Sequence, residues 1–295
     1  MSQTAIAPSP SESQTEGLNK LTADLRRAAR TLSRGEARFL VDCFYQMQKQ
    51  RIVAGNQVKS LDATGDPHAV LKWFNANADF LETQVQFALK KYAEGITLGQ
   101  WCMAQYGIGP VITAGLLAHI SIDRAPSAGH IWSYAGLNPE AVWSKGGMRP
   151  WNADLKLLCW KVGESFAACK QHMDKPGGEY IKAVYERWDF EKAKNSNHDY
   201  ATQAAKIAKA RPNHAQVATY LTGELPAGHI WARSKRYGVK LFLAHFHHVA
   251  YELRYNRKPP LPYILTHDKG HTHFIAPPLW PLPDDVTKGC AKDLP

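Results

Sequence analysis

The sequence has no C-x-x-C motif, no membrane-length apolar run, and no N-terminal segment in which basic residues precede an apolar stretch. Its cysteines are odd in number, and most fall in apolar patterns of helical spacing: Cys43, Cys102, Cys159, Cys169 and Cys290. Such cysteines are typical of reduced core residues rather than of disulfides. We therefore expect a cytoplasmic protein without a membrane span or a secretory leader.

Motifs for phosphoryl transfer and for two-metal nuclease chemistry are also missing. No glycine-rich segment ends in Gly-Lys-Ser or Gly-Lys-Thr, and the carboxylates are scattered. Zinc is an alternative for six histidines, but no cysteine accompanies them before Cys290, and we favour packing or phosphate contact. These histidines are His245, His247, His248, His267, His271 and His273. We expect no metal, no organic cofactor and no catalytic residue.

Positive charge is unevenly distributed along the chain. The net charge is +10 and the pI is about 9.3. Residues 1–139 hold 13 Lys and Arg against 11 Asp and Glu, whereas residues 206–258 hold 10 against 2. A local basic excess indicates a polyanionic partner, and a solvated basic face is the alternative. The candidate contacts lie on one predicted helix, from Ala227 to Asn256: Arg233, Lys235, Arg236 and Lys240.

Hydrophobic spacing divides the chain into four parts, and its helical patterns predict an all-α fold. Residues 1–16 are rich in Ser, Thr, Pro and Gln, which predicts a disordered tail. Residues 17–95 carry two apolar seams, the first interrupted at Gly35, and predict an antiparallel coiled-coil hairpin, with a core bundle as the alternative. The coiled-coil seam also suggests a homodimer. For residues 96–258 we predict a helical nucleic-acid-binding domain. Residues 259–295 predict a Pro-rich extension without regular structure.

The turn Gly107-Ile108-Gly109 joins two helical patterns, as in a helix-hairpin-helix. Pro110 then suits the first turn of a helix, where its missing N–H costs nothing. A face of small residues follows, on which another helix can pack closely: Val111, Ala114, Gly115 and Ala118. Two glycines allow the backbone to approach a phosphate, and the free N–H groups of the next helix would bind it. An ordinary tight turn between helices is the alternative.

A second glycine-rich loop carries two cations and suits a backbone approach to phosphate. Its candidate contacts are Ser144, Lys145, Gly146, Gly147 and Arg149. Ser144 beside Lys145 is also a candidate nucleophile, although a serine at such a turn more often hydrogen-bonds its own loop. Further along, residues 195–197, Asn-Ser-Asn, predict a surface loop.

The block from Gly107 to about Phe166 resembles the C-terminal half of the bridge-RNA-guided insertion-sequence transposases. That half carries a Gly-Ile-Gly-Pro hairpin, a Tyr-Ala-Gly-Leu-x-Pro segment, a Ser-Gly-Gly-Lys-like loop and a helix, in this order. The matching segments here are Gly107–Pro110, Tyr134–Pro139, Ser144–Arg149 and a helix from Asn152. In those transposases the loop serine is the recombination nucleophile and a RuvC-like N-terminal domain supplies an acidic quartet. Here the loop sequence is Ser-Lys-Gly-Gly, and a helical hairpin without an acidic strand motif comes first.

A coiled coil followed by this block is similar to the Nop-type proteins of guide-RNA particles, and closer to the Tas proteins of the prokaryotic and phage tandem-interspaced-guide-RNA (TIGR-Tas) systems. The chain resembles the Tas form that lacks an added RuvC or HNH nuclease. The resemblance implies a guide RNA as partner, with target DNA recognised by base pairing and no chemistry from the protein. Two alternatives stay open: serine-dependent DNA strand transfer through Ser144, and plain helix-hairpin-helix DNA binding.

Overall fold

The computed structural model describes residues 19–63, 65–66, 68–261 and 274–295. Within these ranges the chain forms twelve α-helices and three short 3₁₀ segments but no strand, which confirms the all-α fold class. The helices are α1 (Ala23–Ala28), α2 (Arg34–Asp62), α3 (Ala69–Glu94), α4 (Thr97–Met103), α5 (Pro110–His119), α6 (Ala128–Tyr134), α7 (Ala153–Ala168), α8 (Glu179–Ser196), α9 (Ala201–Ala210), α10 (Val217–Leu221), α11 (Ala227–Tyr255) and α12 (Asp284–Thr287). The predicted tail at residues 1–16 lies outside the described ranges.

The first helical break lies at Ser33 and not at Gly35, where the sequence predicted it. The Ser33 hydroxyl accepts a hydrogen bond from the Glu36 amide at 3.3 Å, and the Glu36 carboxylate accepts one from the Ser33 amide at 2.7 Å. This reciprocal capping box starts α2 and leaves Gly35 inside its first turn. Capping chemistry therefore overrides the helix-weakening effect of glycine here.

Helices α2 and α3 form an antiparallel hairpin. Arg51 of α2 donates to Glu82 of α3 at 2.5 Å, and a Cβ on Gly55 would lie 3.4 Å from the Asn75 side chain. One end of the hairpin enters the main core, whereas the other end carries exposed apolar side chains. The exposed set is Ile52, Val53, Val70, Trp73, Phe74 and Leu81.

The main core extends across the predicted domain boundary at residues 95 and 96. Side chains of both hairpin helices pack in one cluster with those of α4, α5, α7, α8 and α11. At its centre Phe242 of α11 stacks on Trp101 with ring centroids 5.8 Å apart, and meets Tyr180 edge-on at 5.2 Å. The hairpin is therefore built into the same packed body as the helices that follow it.

The predicted small-residue face of α5 is buried in this core. A Cβ on Gly115 would lie 2.7 Å from Leu158 of α7 and 3.5 Å from Val41 of α2. Since real Cβ atoms do not approach so closely, α5 passes between α2 and α7 only because position 115 is glycine. None of the described helices combines the length and apolarity needed to cross a membrane.

The described part of the Pro-rich extension packs on the helical body. The Trp101 indole donates to the Pro278 carbonyl at 2.9 Å, and the Trp280 indole donates to Glu252 at 2.7 Å. Ala291 donates through its amide to the carbonyl of Gly95 at 2.8 Å. The segment also contains the short helix α12, whereas the sequence predicted no regular structure there.

Candidate nucleic-acid interface

The predicted hairpin turn joins α4 to α5, and its two glycines have different surroundings. Gly107 has a φ of +88°, and its carbonyl accepts a hydrogen bond from the Ser165 hydroxyl at 2.6 Å. A Cβ on Gly107 would lie 3.1 Å from the Phe166 ring. Gly109 is exposed at the N-terminus of α5, and no atom lies within 4 Å of the position its Cβ would take. Of the two, Gly109 is therefore the glycine that a phosphate can approach.

The second glycine-rich loop is exposed along its whole length between α6 and α7. Its turn is closed by a hydrogen bond from the Gly147 amide to the Ser144 carbonyl at 3.1 Å. The Trp143 indole donates to the Gly147 carbonyl at 2.7 Å, and the Arg149 guanidinium lies 5.1 Å from the Trp143 ring. Lys145 makes no ion pair with a described residue. Gly146, with a φ of +92° and open space around it, needs glycine for its backbone conformation rather than for packing.

Ser144 lies on this exposed loop without a partner that would make it a nucleophile. Within the described ranges no side chain forms a hydrogen bond with its hydroxyl. An activated serine needs a base within hydrogen-bonding distance, which orients it and takes its proton. Among the described residues, Ser144 is therefore a turn-forming serine to which no base is hydrogen-bonded.

Two of the four predicted contacts on α11 are already paired with carboxylates. Arg233 donates to Glu191 of α8 at 2.8 Å, and its guanidinium lies 4.5 Å from the Tyr200 ring. Lys235 forms an ion pair with Glu164 of α7. Both cations thus hold neighbouring helices against α11.

The other two contacts, Arg236 and Lys240, have no carboxylate partner in the described part of the chain. Arg236 is exposed, and the Lys240 ammonium lies 5.3 Å from the ring of Trp132 on α6. Although Arg236 reaches the surface, partial desolvation lowers the pKa of both groups, and a neighbouring cation lowers each further: Arg233 acts on Arg236 against the opposing effect of Glu191, and Arg236 acts on Lys240. A bound anion would relieve this repulsion, so this part of α11 is suited to a polyanion.

The sequence interpretation missed Glu191 of α8, the acidic residue that pairs with Arg233 of α11. Glu191 is only 1% exposed and accepts hydrogen bonds from Arg187, Arg233 and Tyr200. Burial alone would raise the pKa of Glu191, but these three hydrogen bonds lower it below its ordinary value. The i, i+4 spacing of Arg187 and Glu191 was the available signal, and it indicates an ordinary surface pair.

The histidines of α11 are engaged in separate contacts. His245 donates to the Ile275 carbonyl at 2.9 Å and accepts from the Tyr180 hydroxyl at 2.8 Å. His247 bonds the Ala125 carbonyl at 2.8 Å, and His248 bonds Glu252 at 3.0 Å. No group of three or more His, Cys, Asp or Glu among the described residues is placed to hold a metal ion. The other three histidines, His267, His271 and His273, lie outside the described ranges.

Comparisons of the chain with protein-family models, with curated proteins and with solved structures return no match.

Proposed function

We propose that this chain is an RNA-binding protein that holds a guide RNA and uses it to recognise target DNA, without chemistry of its own. The observation that carries the proposal is the surface of α11 at Arg236 and Lys240, two cations without a carboxylate partner among the described residues, where the Lys240 ammonium also lies over the ring of Trp132 on α6. Cations bind phosphates, and an aromatic ring offers a stacking surface for a base. The exposed loop with Lys145 and Arg149 supplies two further cations.

The guide follows from the resemblance to the Tas proteins and to the transposase block. Backbone contacts give affinity without base recognition, so base pairing by a bound RNA would provide the specificity. This function belongs in the cytoplasm of a prokaryotic or phage-infected cell. Sequencing the nucleic acid that co-purifies with the full chain tests the guide directly, and a preparation carrying only DNA would support plain helix-hairpin-helix DNA binding instead.

The contact surface is tested with Arg236→Gln combined with Lys240→Gln. We expect weaker binding of an unstructured RNA of about 30 nucleotides and a log–log salt slope that falls by about 1.4, at about 0.7 per lost phosphate contact. A matched control removes two exposed α8 lysines, Lys182→Gln with Lys192→Gln. An unchanged salt slope in the α11 variant, or an equal loss of RNA affinity in the control variant, would show that Arg236 and Lys240 do not bind RNA phosphates.

We also propose that the chain forms a homodimer through the end of the α2–α3 hairpin that carries the exposed apolar side chains. On α3, Val70, Trp73, Phe74 and Leu81 lie at spacings of three, four and seven residues and form one exposed apolar stripe; Trp73 is 64% exposed. An apolar stripe of this kind is self-complementary about a two-fold axis, so a second copy covers it with the same residues.

The dimer is tested by Trp73→Glu combined with Phe74→Glu, with light scattering as the measurement. We expect a dimeric wild type and a monomeric variant, because four charges would be buried at the two-fold contact. Ala76→Glu combined with Gln86→Glu adds the same charge to other exposed positions of α3 and should stay dimeric. A wild type that is monomeric at high micromolar concentration would contradict the proposal.

A further inference from the structure

A cleft of about 530 Å³ lies where the C-terminal end of α5 meets α2 and α6. Its volume is within the range of small-molecule sites, which is roughly 300–1,000 Å³. The functional side chains that line it are Arg34, Arg38, His119, Arg124, His130 and Tyr134. None of them is among the residues that the sequence indicated as nucleic-acid contacts.

The cleft gathers three guanidinium groups and two imidazoles, and no carboxylate side chain of a described residue lines it. None of its arginines forms an ion pair with a described residue. Arg38 donates to the Ala118 carbonyl at 2.8 Å, and Arg34 donates to the Pro295 carbonyl at 3.4 Å. Asp42 and Asp154 act on this region through space without lining the cleft. Positive charge in the cleft is therefore incompletely neutralised.

Two buried nitrogen atoms in the cleft walls have no hydrogen-bond partner among the described residues. They are Nδ1 of His119, a residue that is 7% exposed, and Nε of Arg38. Buried polar atoms in proteins are almost always bonded, so these two nitrogens leave unused hydrogen-bonding capacity beside the cleft. Burial, followed by the Arg38 guanidinium, lowers the pKa of His119 against the opposing effect of Asp154, as expected for a buried imidazole beside a cation.

We infer that this cleft binds the phosphate group of a nucleotide, with Arg34, Arg38 and Arg124 around the phosphate and Tyr134 against the base. Guanidinium groups match oxyanions such as phosphate in paired hydrogen bonds, which favours an oxyanion over a simple halide. The Tyr134 side chain is 43% exposed at the cleft and offers a ring for stacking. This site shares no residue with the α11 surface, although both use helix α6, and it stands if that surface binds no RNA.

The test is calorimetric titration of the full chain, freed of nucleic acid, with adenosine 5′-monophosphate, adenosine and inorganic phosphate. We expect saturable binding of the monophosphate and at least about tenfold weaker binding of adenosine, because each lost charge-assisted hydrogen bond weakens binding by about that factor. Equal affinity for adenosine and its monophosphate, or no saturable binding of any phosphate probe, would overturn the inference.

Two variants assign the binding to the cleft. Arg34→Gln with Arg124→Gln should weaken monophosphate binding at least about tenfold, whereas Arg27→Gln with Arg211→Gln removes two exposed arginines elsewhere and should leave it unchanged. Tyr134→Leu should weaken the monophosphate and spare inorganic phosphate. If the double variant has a low melting temperature, Arg124→Gln alone replaces it in the test. The Arg124 side chain makes no hydrogen bond or ion pair with a described residue. Equal losses in the cleft and control variants would place the binding outside this cleft.

A final pair of probes distinguishes the two sources of such a phosphate. A ten-nucleotide RNA is titrated with and without a 5′-phosphate. Tighter binding of the phosphorylated strand than of the monophosphate, lost in the arginine variant, identifies the end of a nucleic-acid strand as the ligand. Binding of the monophosphate alone identifies a free nucleotide. Both outcomes support a phosphate site in the cleft, and they differ only in the molecule that carries the phosphate.

Discussion

Two regions of the molecule are rich in basic residues, the exposed face of α11 and the cleft at the end of α5, and they differ in where the opposite charge lies. On α11, Arg233 and Lys235 are paired with Glu191 and Glu164 from neighbouring helices. In the cleft, no carboxylate lines the walls and no arginine forms a described ion pair. A run of basic residues in a sequence thus does not locate available charge, because tertiary packing determines which cations are neutralised.

The largest expected effect is that of Glu191→Ala, which removes the carboxylate paired with Arg233 of α11. Breaking a buried ion pair from one side costs about 3–5 kcal/mol, since it leaves uncompensated charge on Arg187 and Arg233. We expect a loss of that size in the free energy of unfolding, measured with urea. Glu186→Ala removes the exposed partner of Lys182 on the same helix and should cost less than about 1 kcal/mol. Similar losses in the two variants would mean that α11 does not depend on Glu191.

The second-largest effect concerns the buried histidines His245 and His119, which differ in whether their ring nitrogens have hydrogen-bond partners. Both ring nitrogens of His245 are hydrogen-bonded, whereas Nδ1 of His119 has no partner in the described part of the chain. Burial, opposed by the hydrogen bond to the Ile275 carbonyl and assisted by His248, lowers the pKa of His245 to about 4. In the unfolded chain its pKa is about 6.5, so the unfolded state takes up the proton first as the pH falls.

Stability is therefore lost as the pH falls from about 6.5 towards about 4, and His245 accounts for about 2 kcal/mol of the loss between pH 7.5 and pH 5. The measurement is urea unfolding at both pH values. His245→Gln should reduce the difference between them by that amount even if it lowers stability at pH 7.5. An identical pH dependence in wild type and His245→Gln would contradict the assignment.

The sequence predicted the helical class and the end of the hairpin at residue 95, because apolar spacing and a glycine at the helix C-cap are local signals. It did not predict that the hairpin shares a core with the rest, which depends on contacts such as that of Val41 with Gly115 of α5. The predicted surface loop at residues 195–197 was also wrong at Asn195. This residue lies in α8, is 6% exposed, and makes two hydrogen bonds with the backbone of Leu225. A polar composition cannot distinguish a solvated asparagine from one with distant backbone partners.

The candidate site was predictable to a similar degree. The sequence located Arg236 and Lys240 on one helix face, but it could not separate them from Arg233 and Lys235, whose partners come from α8 and α7. It did not bring together Arg34, Arg38 and Arg124, because 86 residues of chain separate Arg38 from Arg124. Only the packing of α2 beside α5 makes them neighbours. Sites formed by distant segments leave no periodic signal in a single sequence.

The smallest effect compares one substitution, Arg→Gln, in the two basic regions. Arg233→Gln removes a hydrogen bond to a buried carboxylate and should cost about 1.5 kcal/mol of unfolding free energy. Arg124→Gln removes an exposed cation that has no carboxylate partner among the described residues, and should change stability by less than about 0.5 kcal/mol. Both are measured with urea in a buffer free of phosphate. Addition of adenosine monophosphate should then stabilise wild type and Arg233→Gln more than Arg124→Gln, because a ligand stabilises a fold only to the extent that it binds the folded state. A larger cost at Arg124 than at Arg233 would reverse the comparison, since it would show that the cleft arginines hold the fold together and that the α11 cations are the available ones.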